Sequence, residues 1–270
     1  SSPTLGSTLT CSANAFDNDN DSLSINYAWY LHTVNSGVVH TGPSLEILSS
    51  GTPGSGQVLA SLGDSVICVA TVTDPSGLLD TAQVNSTVVN SPPVINSITL
   101  TPNSGVFNDS VLTCSVNASD TDGHSLTTSY AWTNLTQGTN LGTNPSLPLS
   151  STMANSNEVI RCTASVNDGF GGSTSLFTSV TTGNRPPVIT SVDIDNTTPS
   201  FGDTVNCNTM LSDADNDTVS ITHTWVSGGN TVGSGPSYTL AYSDLGKTVF
   251  CRITANDGLL SVTRDSTSDN

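Results

Sequence analysis

Two spacings that each recur three times constrain the fold of this chain more than any other feature. A tryptophan follows a cysteine by 18 residues in three pairs: Cys11 and Trp29, Cys114 and Trp132, and Cys207 and Trp225. An aspartate follows a second cysteine by six residues in three further pairs: Cys68 and Asp74, Cys162 and Asp168, and Cys251 and Asp257. Three copies of two separate spacings indicate a tandem array, so we expect three similar repeats.

A repeated proline pair marks the joints between the repeats. The segment 91–97, Ser-Pro-Pro-Val-Ile-Asn-Ser, returns 94 residues later as 185–191, Arg-Pro-Pro-Val-Ile-Thr-Ser. Two adjacent prolines fix the backbone and favour a short, extended and stiff connection. The predicted domains are therefore residues 1–90, 91–184 and 185–270, arranged as an elongated rod.

The local pattern within each repeat is typical of β-strands. Residues 65–72, Ser-Val-Ile-Cys-Val-Ala-Thr-Val, combine β-branched side chains with alternation, and Gly, Asn, Asp and Pro separate such runs. No window shows a sustained 3.6-residue period, so no helix longer than a turn is expected. About seven short strands in roughly 90 residues predict an all-β chain of three β-sandwiches.

The charge of the chain is strongly negative and comes almost entirely from aspartate. The formal net charge is −17, 20 of the 22 acidic residues are Asp, and Lys247 is the only lysine. Because contacts with phosphates depend on Lys and Arg, nucleic acid and anionic membranes are excluded as partners. Divalent cations are the partners that such a surface favours. No apolar run reaches the ~18 residues of a membrane-spanning helix, so no membrane insertion is expected.

The six cysteines occur as one pair per repeat, and none belongs to a Cys-x-x-Cys motif. A zinc site is therefore disfavoured, and the even count predicts disulfides formed in an oxidising compartment. We expect an extracellular or cell-surface protein.

The Cys–Trp–Cys order resembles that of the immunoglobulin fold, in which a tryptophan on the third strand packs against a disulfide between the second and sixth strands. The repeat is also similar to tandem Ig-like, PKD-like and cadherin-like repeats of bacterial surface and filament proteins, which share its Pro-Pro-Val-Ile linker and its Asp-x-Asp-x-Asp loop. The resemblance covers the whole chain. It implies Ig-like β-sandwiches with buried tryptophans and three intradomain disulfides: Cys11–Cys68, Cys114–Cys162 and Cys207–Cys251.

An Asp-rich loop follows the first cysteine of each repeat. Its side chains stand six, eight and ten positions after the cysteine, with His124 in the last place of repeat 2: Asp17, Asp19 and Asp21; Asp120 and Asp122; and Asp213, Asp215 and Asp217. Alternate carboxylates can converge on calcium, which accepts six to eight hard oxygens. In an Ig-like topology the loop after the sixth strand lies at the same end, and it carries Asp74, Asp168 or Asp257. We predict calcium at these residues; the alternative is that the aspartates serve only Asx-turn geometry.

The same topology places the Asp-rich loops of repeats 2 and 3 beside the joints at residues 90–93 and 184–187, where a shared ion would stiffen the connection. Repeat 1 begins after the position of the Pro-Pro-Val-Ile segment, because residues 2–4 align with residues 198–200. We expect it to lack its first strand, either as one window on a longer repetitive chain or as a subunit that accepts a strand from a neighbour. Both cases predict head-to-tail contacts between like units.

Repeat 1 differs in a second respect, the interval between its tryptophan and its second cysteine. This interval is 39 residues, against 30 and 26 in the other repeats, and it predicts an extra loop or hairpin around residues 51–56.

Catalysis is not expected, because none of the four histidines recurs in register or lies in a nucleophile motif. Three functions remain open. The chain is a structural segment of an extracellular filament, stalk or surface fibre, stiffened by disulfides and calcium; or an adhesin that binds a ligand such as surface glycans through residues 42–61; or an accessory module of a large secreted hydrolase. Similar repeats without a unique site favour the first.

Overall fold

The computed structural model describes residues 2–267 and is built from β-strands, with one 3-10 helix at Tyr242–Asp244 in that range. Ser1 and residues 268–270, on which the outer limits of the first and last predicted domains fall, lie outside the described residues. No helix in residues 2–267 is both long enough and apolar enough to cross a membrane.

The chain divides into two compact units, and the division runs through repeat 2. The first unit holds repeat 1 with one part of repeat 2, namely the residues up to Thr99, Ser115–Tyr130 and Thr163–Phe177. The second holds the other part of repeat 2 with repeat 3, namely Leu100–Cys114, Ala131–Cys162 and the residues from Thr178 onwards. The domain boundaries near residues 90 and 184 stay predictions.

Within residues 2–267, seven strands lie in each predicted repeat. Those of repeat 1 are β1 (Thr8–Thr10), β2 (Ser24–Leu31), β3 (His40–Thr41), β4 (Ser44–Leu48), β5 (Gln57–Leu59), β6 (Ser65–Thr73) and β7 (Leu79–Thr87). Those of repeat 2 are β8 (Val94–Thr101), β9 (Val111–Ser119), β10 (Thr127–Asn134), β11 (Thr139–Gly142), β12 (Ser146–Pro148), β13 (Val159–Asn167) and β14 (Ser173–Thr181). Those of repeat 3 are β15 (Val188–Ile194), β16 (Thr204–Ser212), β17 (Ser220–Ser227), β18 (Asn230–Ser234), β19 (Ser237–Thr239), β20 (Val249–Asn256) and β21 (Ser261–Asp265).

Every repeat combines a four-stranded sheet with a three-stranded sheet, as in an Ig-like sandwich. The four-stranded sheets have the orders β3-β2-β6-β7, β11-β10-β13-β14 and β18-β17-β20-β21. The three-stranded sheets are β12-β9-β8 in repeat 2 and β15-β16-β19 in repeat 3, but β1-β4-β5 in repeat 1. The predicted all-β, tandem Ig-like fold is therefore confirmed.

A tryptophan and a disulfide form the centre of each core. The disulfides are the three that the Ig-like resemblance implies: Cys11–Cys68, Cys114–Cys162 and Cys207–Cys251. All three tryptophans are at most 3% exposed. Each indole N–H donates to a backbone carbonyl, which satisfies a donor that burial would otherwise leave without a partner: Trp29 to Gly42, Trp132 to Asn144 and Trp225 to Gly235.

Repeat 1 departs from the other two in its three-stranded sheet. The extra residues predicted around 51–56 form a loop that leads into β5, and β5 pairs in parallel with β4, Glu46 lying opposite Gln57. A hairpin would have given antiparallel pairing. Of the two predicted alternatives, an extra loop or an extra hairpin, the structure therefore shows the loop. In the described part of repeat 1, no strand occupies the place that β8 and β15 have in the other repeats.

Candidate metal centre

The Asp-rich loops begin where two disulfide-linked strands end. In repeat 2, Asp120 is the first residue after β9 and Asp168 is the first residue after β13. Each lies six residues beyond a cysteine of the same disulfide, so the two loops emerge at one end of the repeat. His124 of the first loop stacks on Phe170 of the second, with ring centroids 4.0 Å apart.

The first aspartate of each triplet shapes its own loop through one carboxylate oxygen. Its Oδ1 accepts the backbone amides two and four residues later, at 2.7 and 3.5 Å for Asp17, 2.8 and 3.3 Å for Asp120, and 2.8 and 3.2 Å for Asp213. These are Asx-turn hydrogen bonds. The turn interpretation therefore holds for one oxygen of each residue.

The other oxygen of this carboxylate has no hydrogen bond in repeats 2 and 3. Asp120 Oδ2 and Asp213 Oδ2 are buried and without a hydrogen-bond partner among the described residues. A buried carboxylate oxygen that lacks a donor carries a desolvation penalty, which a bound cation offsets. Carboxylate oxygens are hard ligands of the kind that calcium prefers. These two loops therefore fit a calcium ion.

The triplets of repeats 2 and 3 each bring three side chains to one point. The ligand atoms lie within 4.8 Å of one another in two groups: Asp120, Asp122 and His124, and Asp213, Asp215 and Asp217. Imidazole nitrogen is a softer ligand than carboxylate oxygen. The group with Asp217 is therefore better suited to calcium than the group with His124.

The middle aspartate of each triplet holds the linker that enters its repeat. Asp122 accepts the backbone amide and the hydroxyl of Ser91 at 2.6 and 3.0 Å. Asp215 accepts the backbone amide, Nε and Nη2 of Arg185 at 2.5, 2.9 and 2.7 Å. A charged acceptor on a backbone amide is a strong, directional contact, and it fixes the linker just before its proline pair. The loops thus lie beside the joints, as the topology predicts.

Arg185 makes further contacts with residues of repeat 2 that belong to the same compact unit. Its Nη1 lies 3.0 Å from Asp109 Oδ2, and its guanidinium lies 4.6 Å from the ring centroid of Phe107. The buried amide of Asn108 donates to the carbonyl oxygen of Asp215. The joint between repeats 2 and 3 is therefore held by ion pairs, a cation–π contact and hydrogen bonds between side chains and backbone.

An asparagine in each linker binds the aspartate of the second loop. Asn90 Nδ2 donates to Asp168 Oδ2 at 2.7 Å, and Asn184 Nδ2 donates to Asp257 Oδ2 at 3.0 Å. The Oδ1 atoms of both asparagines are buried and have no hydrogen-bond partner among residues 2–267. Each joint therefore offers a free amide oxygen as well as a free carboxylate oxygen, and calcium accepts both.

Hydrogen bonds keep the aspartates of the second loops ionised. Burial by itself raises the pKa of Asp168, but the bonds from Asn90 and two loop amides, with the charge of His124, bring it below its usual value of 3.8. The pKa of Asp257 is lowered in the same way, because bonds from loop amides and Asn184 outweigh its burial. Both carboxylates are therefore charged at neutral pH, ready to orient the linker asparagine.

The triplet of repeat 1 is arranged differently. Asp19 and Asp21 are exposed, and together with Asp17 they do not form a close group of the kind seen in the other two repeats. Asp74 directs its carboxylate to the hydroxyl of Ser76 within its own loop. Among the described residues no linker reaches these side chains.

The sequence pattern does not single out Asn90, Asn184 or Arg185, although all three build the joints. A signal is present in retrospect, since Asn-x-Pro-Pro occurs at both 90–93 and 184–187. The repeated asparagine is as regular as the prolines, but an amide side chain has no charge to suggest a partner.

No protein-family model matches the sequence, and no curated protein sequence matches it. Among solved structures, three N-terminal domains of the bacteriophage RB49 Highly Immunogenic Outer Capsid protein align over 99% of this chain and 93% of theirs, with 13% identity and a TM-score of 0.26. Sidekick-1 immunoglobulin domains 1–5 align over 99% of this chain with 18% identity and a TM-score of 0.28, and this chain spans only 56% of them. A tetra-tandem repeat in the extending region of a large adhesion protein aligns over 93% of this chain and 68% of its own length, with 15% identity and a TM-score of 0.36. Scores this low carry no argument, so the fold rests on the sheets and disulfides described above.

Proposed function

We propose that this chain is a non-catalytic structural segment of an extracellular fibre, stalk or surface filament, in which calcium stiffens the joints between Ig-like repeats. The observation that carries the proposal is that both joints are built alike. In each, a linker asparagine and the residue after it are bound by two loops that also bury an unused carboxylate oxygen. A feature that recurs at every joint serves the assembly of the repeats rather than a single recognition event.

The disulfides and the net charge of the chain support an extracellular segment that binds calcium. Three disulfides, with no free cysteine, are typical of proteins that fold in an oxidising compartment. The net charge of −17 would repel like segments and favours the uptake of divalent cations.

The calcium ligands we assign come from both the loop and the linker. At the first joint they are Asp120, Asp122 and the amide oxygen of Asn90, with Asp168 orienting the asparagine. At the second joint the corresponding residues are Asp213, Asp215, Asp217 and Asn184, with Asp257 as the orienting residue. A calcium ion bound there would neutralise the clustered carboxylates and connect the loop of one repeat to the linker from the previous one.

Asparagine substitutions separate the calcium proposal from the Asx-turn interpretation. In Asp213→Asn the remaining oxygen can still accept the two loop amides, but the free carboxylate oxygen becomes an amide nitrogen that cannot ligate calcium. Calorimetric titration of chelator-treated protein should show two calcium ions per chain, and one in Asp213→Asn. Calcium at about 100 times its dissociation constant should stabilise the wild type by about 2.7 kcal/mol, raising its melting temperature by several degrees.

Asp17→Asn is the matched control, because Asp17 makes the same turn but, among the described residues, forms no close group with Asp19 and Asp21. It should leave the calcium stoichiometry at two. Small-angle scattering should also show a narrower range of particle dimensions with calcium than with chelator. Absence of calcium binding, or equal stoichiometry in wild type and Asp213→Asn, would leave the carboxylates with a turn-forming role alone.

A further inference from the structure

Repeat 2 has a histidine where the other two repeats have the last aspartate of the triplet. His124 lies ten residues after Cys114, and Asp21 and Asp217 have the same place in repeats 1 and 3. The histidine removes one negative charge from the cluster and puts an imidazole nitrogen in place of a carboxylate oxygen. Calcium prefers oxygen ligands, whereas zinc and neighbouring divalent transition metals bind imidazole well. The two joints therefore differ in the chemistry of their ligands.

The imidazole of His124 directs Nδ1 to the carboxylate of Asp120. His124 Nδ1 and Asp120 Oδ1 lie 3.6 Å apart, and Nδ1 is buried without a hydrogen-bond partner among the described residues. The side chain of Asp120 is only 1% exposed, and its Oδ2 is buried and without a partner in the same part of the chain. When the ring proton is on Nε2, Nδ1 is an electron-pair donor. Two such donors buried side by side without a hydrogen-bond partner are costly unless a cation binds both.

The ring of Phe170 holds the imidazole in this orientation. The two rings are stacked, with centroids 4.0 Å apart and an angle of 21° between their planes. Phe170 is the second residue after Asp168, and the corresponding residue of repeat 3, where the triplet ends in Asp217, is Leu259. Between these two repeats, the aromatic ring occurs where an imidazole has to be oriented, and an aliphatic residue occurs where a carboxylate stands. Phe170 is therefore a positioning residue for the imidazole.

Two carboxylates complete the ligand set. Ligand atoms of Asp120, Asp122 and His124 lie within 4.8 Å of one another. Each oxygen of Asp122 accepts one hydrogen bond from Ser91 and keeps a second lone pair for a metal. Three nitrogen and oxygen ligands from the protein are enough for a zinc ion that takes water in its fourth position. All six cysteines are in disulfides, so the lack of a Cys-x-x-Cys motif argues only against a thiolate site.

We propose that the first joint is a selective site for a divalent transition cation of the zinc type, bound by Asp120, Asp122 and Nδ1 of His124. The second joint has oxygen ligands only and keeps calcium. When both cations are supplied, the chain binds one zinc ion and one calcium ion, because zinc displaces the calcium that the first joint takes when calcium is supplied alone. The proposal deepens the proposed function, and it rests on that function only in treating the acidic loops as cation sites.

Zinc titration of the full chain in millimolar calcium tests the selectivity. Calorimetry should show one zinc ion bound per chain. The variant His124→Asp gives the first joint the triplet of the second joint. Even a contact outside the ligand shell is worth about 10–100-fold in metal affinity, so loss of the imidazole should weaken zinc binding by at least about 100-fold. The variant should still bind two calcium ions in the absence of zinc, which also shows that it is folded.

His32→Asn is the matched control. His32 Nδ1 also lies 3.6 Å from an aspartate oxygen, Asp64 Oδ1, but the side chain of His32 is 58% exposed. This variant should bind zinc as tightly as the wild type. Phe170→Leu introduces the residue of repeat 3, and it should weaken zinc binding by about tenfold while leaving calcium binding unchanged. Nitrogen-15 NMR of the imidazoles should identify Nδ1 of His124 as the zinc-bound nitrogen.

Three results would overturn the proposal: no zinc bound in millimolar calcium, equal zinc affinity in the wild type and His124→Asp, and displacement of calcium from both joints alike. An equal loss of zinc affinity in His32→Asn would assign the binding to surface histidines and would contradict the proposal as well. A chain that binds two calcium ions and no zinc contradicts the selectivity and leaves the proposed function intact. A chain that binds one zinc ion at His124 and no calcium contradicts the calcium-stiffened joint and supports the zinc site. The two failures are therefore distinguishable.

Discussion

Replacing Arg185 by methionine tests how strongly the linker holds the joint between repeats 2 and 3. The guanidinium donates to Asp215 Oδ1 through Nε and Nη2 at 2.9 and 2.7 Å, and to Asp109 Oδ2 through Nη1 at 3.0 Å. The hydrogen bonds to Asp215, with smaller help from Asp109, raise the pKa of Arg185 above its usual value. Methionine keeps most of the aliphatic length but none of these donors.

The size of the effect follows from the burial of the acceptor. The side chain of Asp215 is 0% exposed, so water cannot replace the lost donors at its Oδ1. Removing one partner of a fully buried ion pair costs about 3–5 kcal/mol. The side chain of Arg185 is 28% exposed and its backbone amide stays on Oδ2, so we expect a smaller loss of about 2 kcal/mol in unfolding free energy. For a domain of roughly 60–100 residues, the size of one repeat, a loss of this magnitude lowers the melting temperature by about 8–16 °C.

Differential scanning calorimetry and urea denaturation measure this loss, and hydrogen exchange locates it at residues 184–217. Arg252→Met is the matched control, because Arg252 and Asp265 form an ion pair whose side chains are 46% and 41% exposed. Solvent screens such a pair, and its removal should change the melting temperature little. Equal losses from the two variants would refute the argument that burial of Asp215 sets the strength of the joint.

Two further predictions concern the second loops. In Gly172→Ala the new methyl group would clash with Asp168 Oδ2 and lie 2.9 Å from the backbone Cα of Pro92. We therefore expect a loss of about 1–3 kcal/mol in unfolding free energy and faster amide exchange at the first joint. Amide exchange as slow as in the wild type would contradict this packing. The pKa of Asp168 and of Asp257 is lowered from 3.8, so their contribution to stability is complete above pH 3.8 and is lost as the pH falls through their lower folded values. Melting temperatures in chelator should therefore fall below about pH 4, and a rise on acidification would contradict this sign.

The fold could be predicted because its determinants are local or strictly repeated. Alternation of apolar and polar residues identifies β6 and β16, since a half-buried strand needs a two-residue period. The interval of 18 residues between Cys207 and Trp225 recurs in the other two repeats, and the resemblance of this pattern to the Ig fold implies that disulfide and indole pack together inside one sandwich, as they do. The parallel pairing of β5 with β4 could not be predicted, because a three-residue strand has too little pattern to specify its partner or direction.

The chemistry of the joints was only partly predictable from residue types. Calcium binding and Asx-turn formation are alternatives when Asp120 is treated as one ligand, but its carboxylate has two oxygens with different surroundings. Oδ1 accepts the loop amides, whereas Oδ2 is buried without a partner in the described part of the chain. Turn geometry therefore does not compete with metal binding at this residue; it orients the oxygen that is left free. The burial of each oxygen depends on the linker, which no local pattern reveals.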